Sequence, residues 1–180
     1  LFICDEIQTG FCRTGKRFAW QHENARPDIM CLGKALGGGI MPISAIVADH
    51  DVMKVFTPGT HGSTFGGNPL AAAVGMAALE VLEDEKLDER AERLGRIFRD
   101  EISKISCPKV KQVRGKGLLN AVVFEKGFEA WNVCIALRDA GLLAKQTHGN
   151  IIRFAPPLVI SEKELREAIA IIKGVFEKIR

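Results

Sequence analysis

The chain has 180 residues, 47 % of them hydrophobic and 26 % charged, with a net charge of +3. This is the make-up of a globular protein of one or two domains, which excludes disordered and fibrous classes. The positive balance comes without any block of Lys or Arg, which argues against nucleic acid and membrane surfaces as partners. The longest uncharged apolar stretch, Ala35 to Ala48, is interrupted by Gly37, Gly38, Gly39 and Pro42 and falls short of the ~20 residues that a membrane-spanning helix needs.

The chain opens inside what reads as a buried strand, with no initiator Met, and we expect it to be the C-terminal piece of something longer. Up to about Leu70 it is glycine-rich, with brief apolar runs at Leu1 to Cys4, Ile29 to Leu32 and Ile43 to Ala48. These are predicted as buried strands joined by loops that carry polar residues. A helix is predicted from Asn68 as N-cap and Pro69 as first residue, with Leu70, Ala73, Val74, Ala77, Val81 and Leu82 at helical spacing. A second amphipathic stretch follows through Leu87, Ala91, Leu94, Phe98, Ile102 and Ile105. Val110 to Val113 and Leu118 to Phe124 read as strands about a Gly115-Lys116-Gly117 turn, and Trp131 to Ala140 as a helix stopped by Gly141. Leu142 to Lys145 and Ile151 to Ala155 are two further expected strands. The last helix opens with a capping box, Ser161 and Glu164, and closes on Lys178 and Arg180, which suit its negative pole. The second half therefore reads as a small α+β unit.

Five cysteines, Cys4, Cys12, Cys31, Cys107 and Cys134, are odd in number and form no CxxC pair, so reduced thiols in a reducing compartment are expected. The four histidines lack ligand spacing, and no metal site is expected. Gly10 to Lys16 (GFCRTGK) has the glycine and lysine spacing of a phosphate-binding P-loop, but Arg17 stands where Ser or Thr should bind magnesium and no clear amphipathic helix follows. The nucleotide reading is rejected.

Four other elements carry chemistry. Asp5 lies at the C-terminal end of an apolar strand, the edge of an α/β sheet where ligands bind, and a buried carboxylate there would need a cationic partner. Lys34 sits among Cys31, Leu32, Ala35 and Leu36 before three glycines, where an amine held near apolar surroundings is a nucleophile toward carbonyls. An acid and a lysine in this arrangement suit pyridoxal phosphate, a cofactor that hangs on a lysine while a carboxylate holds its ring nitrogen. His61 to Pro69 (HGSTFGGNP) offers glycines and the hydroxyls of Ser63 and Thr64 next to a helix N-terminus, which suits a phosphate or simply a tight capped loop. Arg153, in the apolar run IIRFAPP, could pair with a structural acid or capture a substrate carboxylate with its planar fork.

DEIQTG from Asp5, LGKALGGG from Leu32, HGSTFGGNPLA from His61, RGKGLLNA from Arg114 and GLLAKQTHGNIIRFAPPLVI from Gly141 together resemble the class III aminotransferases over nearly the whole chain. The resemblance implies part of a fold type I pyridoxal-phosphate-dependent α/β large domain, over residues 1–83, followed by the small α+β C-terminal domain, over residues 84–180. By the same resemblance Lys34 matches the lysine that carries the cofactor, Asp5 the partner of the ring nitrogen and Gln8 the partner of the ring 3-oxygen. Thr64 matches the residue that binds cofactor phosphate across a homodimer interface, and Arg153 the one that holds the α-carboxylate of glutamate or 2-oxoglutarate. The GLLAK and THG flanks favour members acting on ornithine over those acting on acetylornithine or 4-aminobutyrate. A non-catalytic chain that keeps the fold is the alternative from another class, although all five positions match. The family's glycine-bearing phosphate loop, ring-stacking aromatic residue and further substrate residues are not in these 180 residues, so the chain alone is expected not to turn over. The family implies an intracellular protein, in the mitochondrial matrix of a eukaryote or otherwise in the cytoplasm.

Overall fold

A computed structural model describes residues 1–179, which cluster into two compact units, Leu1–Asp88 and the residues from Glu89 onward.

In the first unit three short strands, β1 (Ile3–Asp5), β2 (Ile29–Leu32) and β3 (Ala45–Ala48), form a sheet in the order β1-β2-β3. β1 and β2 run parallel, with Asp5 opposite Cys31, and β3 is antiparallel to β2. The expectation of buried strands is corrected here: Ile3 and Ile46 are each 56 % exposed and Val47 is 47 % exposed. The apolar run has the composition of a sheet covered on both faces, and within this chain much of that surface has no covering layer. A single-turn helix, α1 (His50–Met53), follows β3.

Helix α2 (Pro69–Asp84) begins as expected. The Asn68 side chain accepts a hydrogen bond from the Ala71 N–H at 2.9 Å, and Pro69, which has no N–H to satisfy, occupies the first turn. Its buried face matches the expected one only in part, at Leu82. Leu70 and Val81 are exposed, while Ala71, Gly75 and Leu82 are buried. Small residues let this helix approach backbone closely: a Cβ on Gly75 would lie 3.5 Å from the Leu36 carbonyl oxygen.

The second unit is built on a four-stranded antiparallel sheet of β4 (Val110–Lys116), β5 (Leu119–Phe124), β6 (Lys145–Thr147) and β7 (Ile151–Phe154), in the order β4-β5-β7-β6. Helices α3 (Leu87–Ser103), α4 (Ala130–Asp139) and α5 (Glu162–Phe176) contribute to one core with the inner face of the sheet. Leu94 and Phe98 of α3, Leu137 of α4, and Ile172 and Phe176 of α5 meet Val122, Phe124 and Ile152, all nearly inaccessible. The α3 stripe is the one read from the sequence. Phe124 stacks on Phe128 with ring centroids 4.8 Å apart and meets Phe176 edge-on at 5.6 Å, arrangements that add to simple area burial.

Strand β6 begins at Lys145 rather than Leu142, because Leu142 donates its N–H to the Leu137 carbonyl (2.8 Å) and so still belongs to the exit from α4. The capping box forms as expected: Ser161 Oγ accepts from the Glu164 N–H (3.1 Å), and the Glu164 carboxylate accepts from the Ser161 N–H (2.8 Å). The helix ends at Phe176, so Lys178 lies beyond it. Arg180 lies outside the described residues.

The RGKGLLNA segment owes its glycines to packing. A Cβ on Gly95 of α3 would stand 1.8 Å from the Gly117 carbonyl oxygen, and one on Gly115 would stand 2.4 Å from Asn120 Oδ1. The buried Asn120 side chain accepts from Arg99 Nη1 (2.9 Å) and donates to the Gly117 carbonyl (3.2 Å), which also accepts from Arg99 (3.0 Å). This closed set ties α3 to the β4–β5 turn.

Candidate active site

In the first unit the parallel pairing of β1 with β2 decides the arrangement. Asp5 ends β1 opposite Cys31, and the chain leaves β2 at Leu32 to reach Lys34 two residues later. Both residues therefore emerge at the C-terminal edge of the same two strands, where α/β sheets bind ligands. Gly33 is extended and buried, and Lys34 opens a short 3₁₀ turn (Lys34–Gly37) with φ of +45°. A lysine in the left-handed region costs of order 1 kcal/mol. Its side chain is exposed, flanked by buried Gly33 and Leu36, rather than enclosed in the apolar surroundings expected. Asp5 is exposed as well, and its Oδ1 accepts from the Ile7 N–H at 3.1 Å where a cationic partner was expected.

Glu6, next in sequence, was not singled out as a candidate and is the organiser of this edge. It is 2 % exposed. Its carboxylate accepts from the Thr9 hydroxyl (2.5 Å) and the Trp20 N–H (2.9 Å), its own N–H donates to the Cys31 carbonyl (3.0 Å), and its carbonyl accepts from the Gly10 N–H (2.9 Å). The turn from Glu6 to Gly10 is thereby pinned, and it presents Gln8 to solvent beside Asp5 in the chain. The available signal was the pair of adjacent acids at a strand end: side chains alternate along a strand, so one of two neighbours turns inward.

The GFCRTGK segment that follows is a buried turn, with Phe11 and Cys12 each 1 % exposed and at positive φ. Burial pushes the Cys12 thiol up to about 11, with the Asp88 charge adding to the effect. It is a packing residue rather than a nucleophile. All five cysteines are free.

Thr64 lies in the exposed loop before α2. Ser63 Oγ accepts from the Gly66 N–H (2.9 Å) and Gly67 takes φ of +71°, so the loop turns tightly into the Asn68 cap and leaves Thr64 exposed. In the second unit, Arg153 sits half-buried on β7 between buried Ile152 and Phe154, on the face away from the core. It lines a cavity of about 450 Å³ together with Leu142, Lys145, Phe154, Pro156 and Ile172. The structure thus brings Asp5, Gln8 and Lys34 to one strand edge, sets Thr64 on a loop of the same unit, and places Arg153 in the other unit.

A carboxylate at the end of one strand and a lysine just past the end of its parallel neighbour, in a two-unit α/β chain, suit a class that comparison with known proteins identifies. The aminotransferase class-III family matches residues 1–176, and the chain belongs to that family. Among curated relatives, the mitochondrial ornithine aminotransferase of Rattus norvegicus is 59 % identical over 174 residues, covering 96 % of this chain and 40 % of the relative. The crystal structure of acetylornithine aminotransferase from Elizabethkingia anophelis is 56 % identical with a TM-score of 0.92, over 98 % of this chain and 45 % of that one. The ornithine aminotransferase of Toxoplasma gondii, crystallised with partial occupancy of PLP at its active site, is 51 % identical with a TM-score of 0.93, over 97 % and 42 %. The chain spans about two fifths of the length of the curated relatives it matches. Among the described residues no helix is long and apolar enough to cross a membrane.

Proposed function

We propose that the chain is the lysine-bearing, C-terminal portion of an ornithine aminotransferase. The reaction is transfer of the δ-amino group of L-ornithine to 2-oxoglutarate, giving glutamate 5-semialdehyde and glutamate. The observation that carries the chemistry is the juxtaposition of Asp5 and Lys34 at the C-terminal edge of β1 and β2. The donor set suits pyridoxal phosphate: a carboxylate, an amide and a hydroxyl, with a lysine whose exposed side chain makes no hydrogen bond or ion pair among the described residues.

When bound, pyridoxal phosphate supplies the electron sink that makes the carbon bearing the amine acidic. The Asp5 carboxylate contributes a negative charge that keeps a ring-nitrogen proton in place. Gln8 would donate its amide N–H to the ring 3-oxygen. Lys34 would hold the cofactor, and its free amine would move the proton at the carbon bearing the substrate amine. Thr64 would give its hydroxyl to the cofactor phosphate across the interface of a homodimer. Arg153 receives the α-carboxylate of glutamate or 2-oxoglutarate in a bidentate pair.

Substrate choice within the family rests on two supports, the GLLAK and THG flanks of Arg153 and the ornithine aminotransferase names of curated relatives at 51–59 % identity. The Elizabethkingia enzyme carries the other name at similar identity, so the discriminating experiment is a panel of ornithine, acetylornithine and 4-aminobutyrate with the full-length protein. Preference for ornithine supports the proposal, and preference for either of the others overturns that part of it. The 180 residues alone are expected neither to retain the cofactor nor to turn over. We place the enzyme inside the cell, in the mitochondrial matrix if its source is eukaryotic.

A further inference from the structure

Strand register in the second unit lines up a row of residues across all four strands. Arg114 of β4 lies opposite Ala121 of β5, Ala121 opposite Arg153 of β7, and Arg153 opposite Lys145 of β6. Residues directly opposite share a face, and the alternation along β5 puts this row on the outer one, since Asn120, Val122 and Phe124 point to the core. The paired positions on that outer face are Gln112, Arg114 and Lys116, then Leu119, Ala121 and Val123, then Ile151 and Arg153, then Lys145 and Thr147. They include four cations and no carboxylate.

Like charges directly opposite on adjacent strands are destabilising, and an acid at any of these positions would relieve the repulsion. The ion pairs of Arg93 with Glu162 and of Arg166 with Glu162 lie on helices, away from Arg153 and Lys145. A face that keeps Lys145 about 4.5–5.5 Å from Arg153, Cα to Cα, holds its positive field for an anion that arrives from outside.

We propose that Lys145 is a second carboxylate-recognition residue beside Arg153, and that its charge selects the dianionic 2-oxo acid over the cationic amine donor. This rests on the reading of Arg153 as the substrate-carboxylate residue. Two cations in register match the two negative charges of a dicarboxylate and repel a diamino acid of net positive charge. The effect of neutralising Lys145 must therefore differ in sign between the two substrates. Arg114, two strands from Arg153 and so ~9–10 Å away, lies near the screening length at physiological salt and should act more weakly.

The test is steady-state kinetics of the full-length holoenzyme with each substrate varied separately. Lys145→Gln is expected to raise the KM for 2-oxoglutarate about 3–5-fold, the range of an exposed charge pair. It should leave the KM for the amine donor unchanged or lower, and kcat within about two-fold. Lys145→Arg should restore the wild-type KM, Arg114→Gln should give a smaller rise, and all these differences should shrink as salt increases. If Lys145→Gln shifts both KM values alike, or shifts neither while Arg153→Gln raises the KM for 2-oxoglutarate, Lys145 has no recognition role and the proposal fails alone. If Arg153→Gln itself leaves that KM unchanged, the underlying assignment of Arg153 falls and the role of Lys145 falls with it.

Discussion

The two units of this chain treat the same kinds of apolar residue in opposite ways. In the second unit Val122, Phe124, Ile152, Leu137 and Phe176 close into one core between a sheet and its helices. In the first unit Ile3, Ile46 and Val47 stand in the open, on strands whose composition asks for cover on both faces, and Leu70 is exposed on α2. The residues that would hold the cofactor, Asp5, Gln8, Lys34 and Thr64, all belong to the open unit. The difference teaches that the proposed cofactor residues sit where the fold is least complete within the chain, whereas Arg153, the proposed carboxylate residue, is carried by a unit with its own core.

That contrast can be broken from either side. Replacing Phe124 by Ala removes a ring packed between Phe128 and Phe176, and should cost about 3–5 kcal/mol of stability in denaturant unfolding of the second unit. A loss under 1 kcal/mol would mean that this core is not the unit's support. Gly95→Ala drives a methyl into the Gly117 carbonyl and should cost about 1–3 kcal/mol, read as a lower unfolding midpoint. An unchanged midpoint would show that α3 can shift away from the β4–β5 turn.

The first unit predicts the opposite sign. Lys34→Gly in the full-length protein removes the left-handed strain at φ of +45°, and should stabilise the apoprotein by about 1 kcal/mol while abolishing turnover. A destabilised apoprotein would show that Lys34 supports the fold.

The smallest effect expected is electrostatic. Hydrogen bonds from Arg93 and then Arg166 hold the Glu162 carboxyl below the usual carboxylate range. A group whose pKa is depressed on folding stabilises the native state above its unfolded pKa, and that contribution fades as pH falls through the folded value. Glu162→Gln should therefore lower the unfolding midpoint slightly at pH ~7, with the difference shrinking as the solution is acidified through and below the ordinary carboxylate range.

Much of the helical structure of both units was legible in the sequence, because its signals are local. The Ser161–Glu164 box and the Asn68–Pro69 start of α2 involve neighbours in the chain, and the stripe Ala91, Leu94, Phe98 and Ile102 is a single helix face. What escaped depends on partners distant in sequence. The buried face of α2 is set by its approach to the Lys34–Gly37 turn, and β6 starts late because Leu142 is held by Leu137. Asp5 and Lys34 were visible as residue types, yet the parallel register that brings them to one edge was not. The buried role of Glu6 and the alignment of Lys145 with Arg153 likewise needed the strand pairings.

The most direct test of the account is borohydride reduction of the full-length holoenzyme followed by peptide mass analysis. The account predicts a pyridoxyl group on Lys34. A pyridoxyl group on another lysine, such as Lys16, or on none, would contradict it.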